Sequence, residues 1–142
     1  MNSAMMKVVL DTNVLVAVFS RRSPHHWLFQ QVMNGTLRLC ITTEILLEYE
    51  EVLGRMYGAD VAAEVVAALP DLPNVQTITS YFAWQLVSAD VDDNKFADCA
   101  IAAGADALIT EDRHFLPLKD LGFPPVTILS IEEFAQFSNA AK

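Results

Sequence analysis

Cysteine and basic residues are both scarce in this chain. Only two cysteines, Cys40 and Cys99, occur among 142 residues. Each sits in apolar surroundings and reads as a small buried hydrophobe, which excludes a disulfide framework or a cysteine-rich metal site. Nine Lys and Arg stand against 18 Asp and Glu, for a net charge of −9. That balance excludes the basic footprint of a nonspecific nucleic-acid binder, so a polyanionic substrate would need metal ions or a local basic patch. The only compact basic cluster is Arg21-Arg22 followed by His25-His26, and a solvated loop accounts for it. No run approaches the roughly 18 apolar residues that span a bilayer. Met1 to Lys7 has an isolated charge, and the apolar stretch beyond is broken by Asp11 and Asn13, so it does not read as a signal peptide. The expectation is a soluble, cytoplasmic protein.

What the chain has in quantity is apolar residues, 53 % by count. Its length suits a single domain over residues 1–142, with 138–142 as a frayed tail. So apolar a composition fits either an alanine-rich core or an extra buried surface, such as a subunit interface or a partner site. Within it, one residue is conspicuous. Asp11 follows Val8-Val9-Leu10, and the chain turns apolar again from Val14 to Phe19. An ionised group taken out of water must be paired, bound to a metal or neutralised. Ala107-Leu108-Ile109-Thr110, followed by Glu111-Asp112, repeats the pattern about a hundred residues later.

Short β-branched segments predict strands over Lys7–Leu10, Leu37–Ile41, Ala107–Thr110 and Val126–Leu129. Helical periodicity lies between them. Pro24 opens one helix, running to Asn34 before Gly35. Thr42 or Thr43 caps the next, with Ile45, Tyr49, Val52 and Met56 on one stripe. Asp60 to Leu69 is closed by Pro70, Asn94 to Ala103 by Gly104, and Ser130 caps Ile131 to Phe137. The stretch from Asp71 to Ser88 fits one or two short strands, or a helix around Tyr81 to Val87. Strands alternating with helices predict an α/β fold, a mainly parallel sheet covered on both faces. Sites in such sheets form beyond the carboxyl ends of the strands, where Asp11 and Asp112 both fall.

Two further segments supply carboxylates. On the helix after Thr43, Glu48 and Glu50 border opposite sides of the buried stripe, while Glu44 and Glu51 point further out. The helical wheel does not choose between Glu48 and Glu50. Before Asn94, the aspartates Asp90, Asp92 and Asp93 crowd a helix start, where a capping role is the ordinary one. Asp98 falls on the opposite side of that helix and reads as a surface residue.

Taken together these segments resemble the PIN-domain nucleases, and within them the VapC-like toxins of prokaryotic toxin–antitoxin systems. Val8-Val9-Leu10-Asp11-Thr12-Asn13 is similar to the first motif and Thr43-Glu44-Ile45-Leu46-Leu47-Glu48-Tyr49 to the second, which selects Glu48. Asp93-Asn94-Lys95-Phe96-Ala97-Asp98-Cys99-Ala100 is similar to the third, with Asp93 in the acidic position. Leu108-Ile109-Thr110-Glu111-Asp112-Arg113-His114-Phe115 is similar to the fourth, with Asp112 acidic. The resemblance covers nearly the whole chain, with motifs in order, although residues 71–88 match none.

The resemblance implies a three-layer PIN-like fold and metal-dependent hydrolysis of RNA phosphodiester bonds. Asp11, Glu48, Asp93 and Asp112 would be catalytic and would ligate Mg²⁺ or Mn²⁺, the hard cations that relieve repulsion among clustered carboxylates. One ion is expected to activate a water for in-line attack, and a second, if bound, to steady the leaving oxygen. Asn13 and Thr110 are candidates to orient Asp11. Lys95 and Arg113 are candidates to meet substrate phosphates, or else balance neighbouring acids. His25, His26 and His114 have no spacing that supports a general base; His114 lies nearest an acidic position and reads as a bystander. The implied partners are RNA, a cognate antitoxin and a second copy of the chain. Two rival readings remain: a phosphatase or phosphoacceptor domain with an aspartate after its first strand, though Asn13 occupies a position where such sites carry a second aspartate, and a non-catalytic PIN-like binding module.

Overall fold

The structure is a computed structural model that describes residues 5–79, 83–87, 93–120 and 123–140, with residues 139 and 140 described through their backbone only. Five parallel strands form one sheet in the order β3-β2-β1-β4-β5. They are β1 (Met6–Leu10), β2 (Leu37–Ile41), β3 (Val75–Thr77), β4 (Ala107–Ile109) and β5 (Ile128–Leu129). β1 lies at the centre, with Val8 opposite Leu39 on one side and Ala107 on the other. Val8, Val9 and Leu10 are wholly buried, as a central strand covered on two faces requires.

Helices fill the connections: α1 (Thr12–Phe19), α2 (His26–Met33), α3 (Thr43–Tyr57), α4 (Ala59–Ala68), α5 (Asn94–Ala103) and α6 (Ile131–Ala140). From β1 the chain steps outward through β2 to β3, then returns past β1 to β4 and β5. Right-handed crossovers running in opposite directions place their helices on opposite faces. The result is a three-layer α/β fold. The change of direction falls between β1 and β4, the switch point at which open parallel sheets bind ligands.

Several elements start and stop where the sequence predicts. Thr42 accepts the Ile45 amide of α3 at 3.2 Å, an N-cap bond. Ser130 and Glu133 form a reciprocal capping box on α6, at 3.0 and 2.8 Å. Gly104 ends α5 in the left-handed region at φ 62°, where a Cβ would be strained. Cys40 and Cys99 are buried and free, and burial pushes the Cys99 thiol up to about 12. Among the described residues no helix is long and apolar enough to cross a membrane.

Other expectations need correction. The helix expected from Pro24 begins at His26, because Ser23 to His25 are taken up by a turn. The buried stripe of α3 is Ile45, Tyr49 and Leu53, whereas Met56 is 59 % exposed. α4 starts at Ala59, and Pro70 sits inside a 3-10 turn, Leu69–Asp71, rather than beyond a helix end. The strand expected from Val126 is only Ile128–Leu129. Residues 83–87 are not helical, and Tyr81 and Phe82 lie outside the described residues, as do Asp90 and Asp92. Asn94 instead holds this segment by accepting the Val87 amide and donating to its carbonyl, at 2.8 and 3.2 Å. Asp98 is half-buried rather than on the surface: it accepts the Trp84 amide at 3.1 Å, and burial raises its carboxyl. Two segments without a predicted element prove ordered, the helix α1 and a 3-10 helix over Arg113–Asp120.

Candidate active site

Asp11 is delivered by the end of β1. Its amide still bonds the Ile109 carbonyl of β4 at 3.1 Å, while its own carbonyl accepts the first amides of α1 from Val14 and Leu15. The side chain makes no capping bond to that helix. It is 3 % exposed and turns to the adjacent strand end, where Thr110 Oγ1 donates to Oδ2 at 2.8 Å. The carboxyl is pushed up from the ordinary range, first by burial and then by the charge of Asp112 and, less, of Glu48. The Thr110 hydroxyl and the Thr12 amide act the other way. Three acidic residues from three elements therefore share one electrostatic environment.

Asp112 follows β4, and Thr110 ties it in from behind by accepting the Asp112 amide at 3.0 Å. Asp93 lies at the start of α5, where a capping role was the ordinary expectation. Its side chain makes no such bond and instead comes together with Asp112 and His114: one donor atom from each lies within 4.8 Å of the others. His114 Nδ1 is 3.3 Å from Asp112 Oδ1 and 4.0 Å from Asp93 Oδ2. This residue, read from the sequence as a bystander, faces the acidic group.

Glu48 is brought to the same edge by α3 but lies outside that close trio. Its carboxylate accepts from the Thr12 hydroxyl and pairs with Lys95 at 2.6 Å. Lys95, a candidate for substrate contact, thus meets an acid of its own chain. Below it, the wholly buried Tyr49 donates to the Leu10 carbonyl at 2.6 Å, fixing α3 against the end of β1. Asn13, a candidate to orient Asp11, is exposed, and Thr12 is the residue of this motif that holds a carboxylate. Thr12 was missed because it precedes an apolar run with no strand or helix period. Arg113 is exposed and lines a pocket of about 110 Å³ beside Asp112, together with Lys119.

The donor set fits a hard divalent cation. Two of the trio's three donors are carboxylate oxygens, close enough that one cation would relieve their mutual repulsion, whereas Asp11, like Glu48, lies outside the trio and feels it through the charge of Asp112.

A parallel sheet with carboxylates gathered beyond its two central strands defines an α/β protein with an acidic switch-point site. The PIN domain family matches residues 7–114, and the chain belongs to that family. Among solved structures the fold is similar to a chain of VapBC2 from Rickettsia felis, in a complex bound to a DNA fragment from its promoter. The TM-score is 0.60 at 15 % identity, covering 88 % of this chain and 98 % of that one. A chain of DNA-bound VapBC from Salmonella typhimurium gives a TM-score of 0.58 at 19 % identity, covering 89 % and 99 %. No functionally curated protein is similar enough in sequence to match.

Proposed function

We propose that this protein is a divalent-metal-dependent endoribonuclease and the toxin of a toxin–antitoxin pair. The observation that carries the reading is the gathering of Asp93 with Asp112, whose charge also acts on the buried Asp11 at the sheet's switch point, in a chain of the PIN family. Asp11, Glu48, Asp93 and Asp112 are the proposed catalytic and metal-ligating residues. Mg²⁺ or Mn²⁺ bound there would supply Lewis acidity and an activated water for phosphodiester hydrolysis. The chain's own residues set the stage. Thr110 fixes the rotamer of Asp11 and the backbone of Asp112, and Thr12 fixes Glu48. Lys95 balances Glu48, and Arg113 stands beside Asp112, where an incoming phosphate would meet it.

The toxin half of the proposal draws on the likeness to chains of VapBC complexes. Its partners would be an RNA substrate, a cognate antitoxin and a second copy of the chain in the cytoplasm. A groove of about 750 Å³, in which Phe19, Phe29, Met33 and Tyr57 stand beside Ser20, Arg21, His26 and Gln30, offers a mixed apolar and polar surface for a protein partner. The test is direct. The purified protein should cleave RNA with Mg²⁺ or Mn²⁺, lose activity in chelator, and lose it again in Asp112→Asn with its circular dichroism unchanged. Cleavage that survives both treatments, or none under any metal, overturns the proposal.

A further inference from the structure

We infer that His114 is a nitrogen donor to the cation, adding a fifth candidate ligand to the four carboxylates and tilting the site towards Mn²⁺ over Mg²⁺. The inference rests on the metal-dependent reading above. Asp112 Oδ1 accepts the His114 backbone amide at 2.9 Å. That bond closes a tight turn over residues 112–114 and returns the imidazole onto the same carboxylate. Nδ1 then faces oxygens from two different elements, Asp112 at 3.3 Å and Asp93 at 4.0 Å.

These spacings match donors around one ion. With metal–oxygen distances near 2.1 Å in an octahedron, neighbouring donors stand about 3 Å apart and opposite donors about 4 Å apart. The trio spans no more than 4.8 Å, so small side-chain rotations bring all three into range. Imidazole suits transition metals, whereas Mg²⁺ strongly prefers oxygen. The rival explanation is that His114 is an imidazolium balancing Asp93 and Asp112. The two make opposite predictions, because removing a ligand weakens cation binding and removing a competing cation strengthens it.

The experiment is pulsed electron paramagnetic resonance on the full-length protein loaded with Mn²⁺, alongside calorimetric titration with Mn²⁺ and Mg²⁺. The wild type should show nitrogen coupling from one directly bound imidazole. His114→Ala, at a half-exposed position, should fold normally, lose that coupling, and bind Mn²⁺ roughly tenfold or more weakly. Its loss for Mg²⁺ should be smaller. Mn²⁺ bound without nitrogen coupling, coupling that persists in His114→Ala, or tighter binding in that variant overturns the role of His114 and leaves the metal-dependent reading standing. No Mn²⁺ binding by the wild type overturns both.

Discussion

The Thr110 hydroxyl donates to Asp11 Oδ2 at 2.8 Å while accepting the Asp112 amide at 3.0 Å. One side chain, 4 % exposed, thus couples the acidic residues of the two central strand ends. Thr110→Val keeps the shape and removes both bonds. A hydrogen bond to a charged group is worth about 1.5–3 kcal/mol, so thermal unfolding should move down by several degrees. Misplaced ligands should also weaken cation affinity by about 10–100-fold. Thr110→Ser should retain most of both. A Val variant with unchanged Tm and unchanged Mn²⁺ titration would show that the hydroxyl is incidental.

Asp11 should lower the stability of the metal-free protein at neutral pH. Burial raises its carboxyl above the unfolded value, and the charges of Asp112 and Glu48 raise it further. The folded state therefore holds this proton more tightly than the unfolded chain. The associated stability is present at low pH and lost as pH rises through the raised folded value. Asp11→Asn removes the buried charge and should stabilise the metal-free protein at pH 7 by about 0.5–2 kcal/mol. The advantage should shrink as pH falls through the carboxylate range, while RNA cleavage is lost at every pH. Melting curves across pH in chelator decide the matter; an equal deficit at all pH values would contradict it.

Tyr49→Phe tests how α3 is held to the site. The phenol is wholly buried and its bond to the Leu10 carbonyl, at 2.6 Å, lies one residue before Asp11. Its loss should cost about 1–2 kcal/mol, read as a lower denaturant midpoint at unchanged slope. Because Glu48 precedes Tyr49 on the same helix, cleavage should fall as well. A variant as stable as wild type would mean that the Leu10 carbonyl finds another donor.

The central strands were legible because each is a short β-branched run, and α5 because Asn94 and Gly104 mark its ends. α1 was not: Val14 to Phe19 is apolar at nearly every position and lacks an amphipathic period. Its contacts with α2, α3 and β1's end decide for helix where local preference does not. β3 answers to the short strand that was one of two alternatives for residues 71–88; as a three-residue, partly exposed edge strand it is too short for a period to choose between them. The acidic positions were readable as motifs, since each follows a strand end or opens a helix. The place of His114 was not readable. It depends on the start of α5 meeting the loop after β4, which brings together residues about twenty positions apart in sequence. The balance of Lys95 by Glu48 likewise depends on how α3 meets α5.

Cation binding should stabilise the fold, increasingly so as the cation concentration rises above Kd. Asp93 and Asp112 place two acidic side chains close to one another and to His114. A ligand that binds only the folded state adds RT ln(1 + [L]/Kd), about 2.7 kcal/mol at a hundredfold excess over Kd. For a protein of this size that corresponds to a rise in Tm of several degrees. The rise should follow Mn²⁺ or Mg²⁺ concentration logarithmically, reverse on adding chelator, and be absent with Na⁺ at equal ionic strength. Asp93→Asn and Asp112→Asn should each melt at or above the wild-type temperature without metal, since a repelling charge has gone, yet gain little from it. An equal metal-induced rise in wild type and both variants would place the cation elsewhere on the acidic surface.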